Sequence, residues 1–304
     1  DLFLDIARIL AMSRNRSRAA AFAAAISMVL AALAAQGEPS DMRRKAADAF
    51  AIGDLETAVA AYAECTRAGE AACQSFLGVL FLMGNGVEED RERAASLFAQ
   101  AAEQGDSMGE FYLGYMLRHG IAMEADAARA IGLFERAGHG GYAPALAQLG
   151  NMHARGEGMP VDRLKAIRLL LEAGMDGLPD ALLEAGLLIL GVEGDQHRDP
   201  EAAFETILMA AGMDFAPAMM GVAEMLLAGE GTGVDNVEAM KWALLASRHR
   251  EIEPELRAIA QATMVRIDPR LSAAEREEAR ARAEAWTPAA RARASSRSAA
   301  DKRG

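Results

Sequence analysis

Six aspartates recur at a nearly constant interval and set the period of this sequence. Successive aspartates are separated by 36, 36, 36, 37 and 36 residues, at Asp54, Asp90, Asp126, Asp162, Asp199 and Asp235. An alanine follows each aspartate four residues later, and a column of glycines runs out of phase at Gly78, Gly114, Gly150, Gly186 and Gly221. Columns that stay in register in this way are the signature of a repeat architecture. We therefore expect one small structural unit to be used several times along the chain.

A single unit contains the pattern of two helices. From Ala143 to Arg155 the apolar residues recur with helical spacing. Gly156 to Gly158 then end the helix, because glycine readily adopts the left-handed conformation of a C-cap. Asp162 is suited to cap a second helix, from Arg163 to Ala173, by accepting hydrogen bonds from its first free amides. Each unit is therefore predicted to be a helix pair.

Neither helix of a pair can bury its apolar face alone, so neighbouring units must stack. The mid-helix residues Gly150 and Ala166 are small. Glycine inside a helix costs about 1 kcal/mol against alanine, so its recurrence suggests that two helix backbones cross closely there. The sequence predicts an all-α fold, a right-handed α-solenoid of about six antiparallel helix pairs over residues 36–252. Residues 253–286 are expected to form C-terminal cap helices, because Leu271 to Glu275 contain a capping box.

One repeat shows the consensus most clearly. It reads Leu77-Gly78-Val79-Leu80-Phe81, then Gly84-Asn85-Gly86-Val87-Glu88-Glu89-Asp90, then Ala101-Ala102-Glu103-Gln104-Gly105. This consensus resembles the Sel1-like repeat family, a longer-period relative of the tetratricopeptide repeats, in its exported bacterial form. The resemblance runs from residue 42 to about residue 250, although the first unit lacks a normal first helix and Gly191 to Gly194 replace the fifth glycine turn. It implies a solenoid, while family members act as adaptors, secreted effectors and periplasmic regulators alike.

Both ends of the chain are expected to lie outside the repeats. Residues 12–35 are typical of a secretory signal peptide, with arginines before an apolar run and Ala32-Leu33-Ala34 as the cleavage pattern. An uncleaved membrane anchor is the alternative. Residues 1–11 lack an initiator methionine and are interpreted as an upstream extension, and residues 287–304 are expected to be a disordered basic tail. The signal predicts export to the periplasm, with secretion as the alternative.

The two cysteines, Cys65 and Cys73, occupy columns that hold small residues in the other units. Alanine takes the place of Cys65 elsewhere, and glycine or alanine takes the place of Cys73. Both columns are small because helices approach closely there, so the sulfurs can meet, and two buried free thiols are the alternative. The export signal favours a disulfide, and the eight-residue spacing resembles the bridge of the cysteine-rich secreted Sel1 proteins.

No pattern of residues indicates catalysis or a cofactor. Gly105 to Gly109 match the nucleophile-elbow motif by letter but follow a helix rather than a strand. Gly229 to Gly233 lack the lysine of a phosphate loop, and the five histidines have no metal-ligand spacing. A formal net charge of −12 argues against a nucleic-acid partner. We expect a non-catalytic protein without cofactors or metals, and an enzyme acting on cell-wall material is the alternative.

The glycine-containing helix of each pair is expected to line the inner surface of the solenoid and is called the inner helix; its partner is the outer helix. The inner helices carry a stripe of aromatic and polar residues that suits peptide recognition. Counted from the glycine of each inner helix, positions −2, +1 and +5 share one face, and aromatic and arginine side chains are typical anchors of binding surfaces. Ordinary surface variation is the alternative. The predicted groove residues are Phe76, Tyr112, Tyr115, His119, Gln148, Asn151, Arg155 and Glu184. We expect a monomeric periplasmic scaffold or regulator that binds a protein or peptide there, and a secreted, cysteine-bridged host-interaction factor is the alternative.

Overall fold

The computed structural model describes residues 40–191, 198–250 and 252–286. Within these ranges the chain forms fourteen α-helices and one 3-10 turn and has no strand, which confirms the predicted all-α class. The helices fall in two compact units, residues 40–169 and residues 170–286, and the division lies within one helix. Among the described helices, none is both long and apolar enough to cross a membrane.

The amino-terminal unit consists of seven helices and the start of an eighth. They are α1 (Asp41–Ala51), α2 (Leu55–Arg67), α3 (Ala71–Met83), α4 (Arg91–Glu103), α5 (Ser107–His119), α6 (Ala127–His139), α7 (Ala143–Arg155) and α8 (Arg163–Met175). Each helix from α1 to α6 packs against the next helix in the chain, and α3 also contacts α5, the corresponding helix of the following repeat. Helix pairs therefore stack on one another, as the repeat pattern predicts.

The first repeat, expected to lack a normal first helix, begins with a helix of eleven residues. This helix, α1, is two residues shorter than α2 to α7, each of which has thirteen. Ser40 caps α1 by accepting a hydrogen bond from the backbone N–H of Arg43 at 3.1 Å. Ala46 and Ala49 are buried in the core that α1 shares with α2. The repeat pattern thus extends one helix further toward the amino terminus than the sequence indicated.

The carboxy-terminal unit contains the rest of α8 and six further helices. They are α9 (Pro179–Leu190), α10 (Pro200–Gly212), α11 (Ala216–Ala228), α12 (Asn236–Arg248), α13 (Pro254–Ile267) and α14 (Ala273–Ala285), with the 3-10 turn Asp268–Arg270 between the last two. α12 packs against α11, α13 and α14. The predicted capping box of α14 is present, since Ser272 and Glu275 each accept a hydrogen bond from the other's backbone N–H.

The recurring aspartates cap every second helix, as predicted. Each accepts a hydrogen bond from the backbone N–H three residues later, at 2.8–3.1 Å, at the start of α2, α4, α6, α8, α10 and α12. The other helix of most repeats ends at a glycine with φ between 65° and 70°, namely Gly84, Gly120, Gly156 and Gly229. Both signals have local causes, which is why the sequence alone locates the helix ends.

The glycine column has a different cause from the one expected. A Cβ added at Gly78 would lie 2.7 Å from a ring carbon of Phe98, and at Gly186 it would lie 2.4 Å from Ile207 Cγ1. These glycines therefore make room for a large side chain of the following helix. A close approach of two helix backbones is found at another column, where a Cβ on Gly109 would lie 3.1 Å from the backbone nitrogen of Ala102.

Several sequence predictions concern residues outside the described ranges. They are the extension at 1–11, the signal peptide at 12–35, the tail at 287–304 and most of the altered turn from Gly191 to Gly194. These stay predictions.

Candidate functional site

The predicted disulfide is present in the amino-terminal unit. Cys65, near the end of α2, is bonded to Cys73, in the first turns of α3, with a Cα–Cα distance of 5.9 Å. Both side chains are fully buried. The small columns therefore bring the two helices within bridging distance. Among the described residues, one group of three side chains could hold a metal ion, namely Cys65, Glu70 and Cys73. Both sulfurs of this group are engaged in the disulfide.

Two of the predicted groove residues belong to the core of the amino-terminal unit instead. Phe76 is only 5% exposed and stacks on Tyr62, with ring centroids 5.2 Å apart. Tyr112 is half-buried and stacks on Phe98 at 5.0 Å, and burial raises the pKa of its hydroxyl to about 12. Their position on the helix is as predicted, but the rings turn toward aromatic side chains of the neighbouring helices.

Glu184, in α9 of the carboxy-terminal unit, is also buried, with 9% of its surface exposed. It lies among the almost wholly buried residues from Ala181 to Leu187. A partner in solution therefore cannot reach much of its side chain, and the groove prediction was wrong in treating it as a surface residue.

The remaining predicted residues share one surface of the amino-terminal unit. Tyr115 and His119 lie one turn apart on α5, with ring centroids 4.4 Å apart. Gln148, Asn151 and Arg155 lie on α7, the corresponding helix of the next repeat. Gln148 and Asn151 are half-exposed, and Arg155 is exposed.

Two residues that sequence reasoning missed connect α5 to the segment after α7. The Arg118 guanidinium donates a hydrogen bond from Nε to Glu157 Oε2 at 2.8 Å and another to Gln148 Oε1. Arg155 Nη1 lies 3.3 Å from the other oxygen of Glu157. Arg118 is held firmly, since its side chain is only 8% exposed. The seven residues Tyr115, Arg118, His119, Gln148, Asn151, Arg155 and Glu157 are called the α5/α7 polar surface below.

The charges of this surface differ from those of the chain as a whole. Burial works against ionisation of Glu157, but the hydrogen bonds and charges of Arg118 and Arg155 lower the pKa of its carboxyl overall. Burial and the charge of Arg118 lower the pKa of His119, against a smaller effect of Glu157. At neutral pH two guanidinium groups therefore face one carboxylate. The α5/α7 polar surface carries an excess of one positive charge, although the chain has a net charge of −12.

The arrangement is equipped for binding rather than for bond chemistry. Its seven side chains offer hydrogen-bond donors, acceptors and two aromatic rings, but no serine or cysteine nucleophile beside a base. Arg118 is fixed by its partners, while Arg155 is 48% exposed beside Tyr115's helix. A fixed charge with exposed aromatic and polar neighbours is a common composition of protein-binding surfaces.

Comparison with known proteins gives a family match for part of the chain. The sequence profile of the Sel1 repeat matches residues 71–106, 107–142, 143–178 and 216–249. The matched segments leave out residues 179–215, the repeat in which the sequence already showed an altered glycine turn. No curated protein sequence matches the chain.

Two solved structures share the fold at low sequence identity. A Sel1 repeat protein from Oxalobacter formigenes is 21% identical, with a TM-score of 0.64, and the alignment covers 81% of this chain and 96% of that one. A protective antigen present in uropathogenic Escherichia coli strains, with an SLR fold, is 20% identical, with a TM-score of 0.62 and coverage of 86% and 64% respectively. At this identity the similarity concerns the fold alone.

Proposed function

Because the chain carries four Sel1 repeats, we propose that it is an exported, non-catalytic scaffold that binds a protein partner through the α5/α7 polar surface. Sel1-repeat proteins generally act as protein–protein interaction scaffolds and are typically non-catalytic. The proposal gives this chain a compartment, the periplasm, and a binding site.

The compartment is supported by the Cys65–Cys73 disulfide. Disulfides persist in oxidising compartments such as the bacterial periplasm and are rare in the cytosol. The signal-peptide pattern of residues 12–35 points the same way. Cell fractionation tests this part: we expect the chain in periplasmic extract, and its recovery only in the cytosol with two free thiols would contradict export.

The binding site is supported by one observation above the others, the contact of Arg118 with both Gln148 and Glu157. This contact joins the inner helices of two successive repeats and fixes the polar groups around them. A partner that binds there meets a prearranged surface and loses little free energy to ordering it. Arg155 joins this network through Glu157, Tyr115 stands beside it, and both are residue types that often anchor interfaces.

The experiment combines partner capture with matched charge variants. The full chain is used to capture its partner from periplasmic extract, and the affinity for the purified partner is then measured by calorimetry. We expect Tyr115→Ala combined with Arg155→Glu to weaken binding by roughly 100-fold, since interface anchors each contribute about 1–2 kcal/mol or more. The circular dichroism spectrum should stay unchanged and the melting temperature should fall only slightly, because Arg155 is exposed and Tyr115 is a half-buried residue that packs against the core.

The matched control is Arg129→Glu, which makes the same change of charge at an exposed position on α6. We expect it to leave the affinity within about threefold at physiological salt, because exposed charges away from an interface act mainly through screened long-range fields. If Arg129→Glu abolishes binding while the double variant retains it, the partner binds the outer helices and the proposed site is wrong.

A further inference from the structure

A cavity of about 370 Å³ opens between α12, α13 and α14 in the carboxy-terminal unit. Its volume lies within the range of about 300–1,000 Å³ that small-ligand sites occupy. α12 contributes the floor, and α13 and α14, joined by the 3-10 turn, contribute the two walls. The three helices present different chemistry to the space between them.

The floor is apolar, and so is the wall contributed by α13 apart from Gln261. Met240 and Leu244 lie one turn apart on α12, and both are buried, so the floor belongs to the packed core. Met264 and Val265 of α13 form the wall above them. Val265 is 73% exposed, which leaves an apolar edge beside a hollow that can hold an aliphatic chain. Burial of such a chain would remove apolar surface of both ligand and protein from water.

The opposite wall is basic. Arg276 and Arg280 lie one turn apart on α14 and both line the cavity. Asp268 engages Arg276, with its carboxylate 2.9 Å from Nε. The nearest carboxylate oxygen to Arg280 is that of Glu277, at 3.8 Å on a side chain that is 79% exposed. An ion pair this long and this exposed contributes little, so Arg280 brings an almost uncompensated positive charge to the cavity.

From this juxtaposition we infer that the cavity binds an aliphatic monocarboxylate of medium chain length. The alkyl chain lies on Met240, Leu244 and Met264, and the carboxylate accepts hydrogen bonds from Arg280, while the charge of Arg276 is balanced by Asp268. A guanidinium group binds a carboxylate with two parallel hydrogen bonds, which makes it more selective than a point charge. A cationic amphiphile of the same length would meet repulsion at this wall. The inference is independent of the protein-binding surface proposed above.

Titration of the full chain with decanoate, below the concentration at which it forms micelles, tests the inference by calorimetry. Both tryptophans of the chain, Trp242 and Trp286, belong to this unit, so their fluorescence is a second readout. Each buried methylene is worth about fourfold in affinity, so octanoate should bind roughly fifteenfold more weakly than decanoate. Arg280→Glu should lower the affinity for decanoate at least tenfold.

The matched control is Arg270→Glu, which makes the same charge change in the 3-10 turn at an exposed residue that does not line the cavity. It should leave decanoate binding within about twofold. Val265→Glu, at an exposed position, should also weaken binding without affecting the fold.

Three results would overturn the inference. The first is that decanoate does not bind. The second is that decyltrimethylammonium binds as tightly as decanoate, which would mean that the cavity is an unselective apolar patch. A dimer of the unliganded chain that Val265→Glu dissociates would show that a second copy occupies the cavity instead.

Discussion

The two units fill the same repeat pattern with different side chains. In the amino-terminal unit, the rings of Phe98 and Phe134 lie over Gly78 and Gly114 and join an aromatic stack with the inner helices. In the carboxy-terminal unit the corresponding position is Ile207, and the inner helix α11 contains no aromatic residue. The caps and the small columns are common to both. The residues that set the helix ends and the repeat spacing are therefore distinct from those that fill the core. The core residues decide how much substitution a position tolerates.

The largest expected difference between the units is in their response to truncation. Phe98→Ala removes a fully buried ring that stacks on Tyr112, and we expect it to lower the free energy of unfolding by about 3–5 kcal/mol. Met220→Ala, a truncation at an equally buried site in α11, should cost less, about 2–3 kcal/mol, because the removed side chain is smaller and the flexible methionines of the same core can partly fill the space. Urea unfolding followed by circular dichroism measures both. Similar losses in the two variants would contradict the comparison.

The glycine opposite Phe98 supplies a control for the same contact. Gly78→Ala places a Cβ 2.7 Å from the ring and should destabilise the wild-type chain, whereas in the Phe98→Ala background it should stabilise by up to about 1 kcal/mol through helix propensity. Gly132→Ala in α6, where an added Cβ meets nothing within 4 Å, should stabilise equally in both backgrounds. If Gly78→Ala also behaves equally in both, the glycine column does not serve to seat the ring.

The disulfide gives the next largest difference, because it belongs to the amino-terminal unit alone. Replacing both Cys65 and Cys73 by alanine should lower the stability of that unit by about 2–3 kcal/mol, as expected for a short loop in the chain-entropy model. Alanine fits both sites, since it occupies the corresponding positions of other repeats. Hydrogen exchange should show faster opening of α2 and α3 and unchanged protection in α11. Equal loss of protection in both regions would mean that the bridge stabilises the chain as a single cooperative body.

The smallest effect concerns pH. Burial and the charge of Lys165 lower the pKa of His153 in α7, although Asp162 and Glu135 act in the opposite direction. As the pH falls below about 7, the unfolded chain takes up this proton first, so the stability of the amino-terminal unit should decline toward pH 5. His153→Gln should flatten the decline seen in α5 and α7 by hydrogen exchange. A decline of the same slope in the variant would assign the pH dependence to other groups.

The sequence predicted the fold well because its strongest signals act locally. The aspartate caps, the glycine C-caps and the helical spacing depend on neighbouring residues, and the predicted first helix of the central repeat, Ala143–Arg155, agrees with α7 at both ends. The disulfide was also within reach, since it joins two columns that are small in every other repeat. Comparing the repeats with one another thus showed which columns are small, and small columns indicate where helices approach closely.

The binding surface was predicted only in part because its contacts depend on rotamers and on residues far apart in sequence. Spacing along the helix placed Tyr112 and Tyr115 on one face, but it could not show that Tyr112 turns toward Phe98 of the preceding outer helix. Arg118 and Glu157 are 39 residues apart, and Glu157 lies between two turn glycines, so the sequence around it indicates only the end of a helix. Comparing the charged residues of neighbouring repeats at the ends of the inner helices would have suggested the pair.

The contact between each glycine and its large partner has a consequence for how such a chain can evolve. Gly78 and Phe98 lie in the same matched repeat, residues 71–106, and Gly114 and the ring of Phe134 lie together in residues 107–142. A gene duplication that copies one whole period therefore copies both halves of the contact. The new segment already contains the matched glycine and large side chain, so selection needs only to adjust the contacts between neighbouring repeats. Unequal recombination can lengthen or shorten the array in steps of about 36 residues without first creating a packing defect inside any repeat.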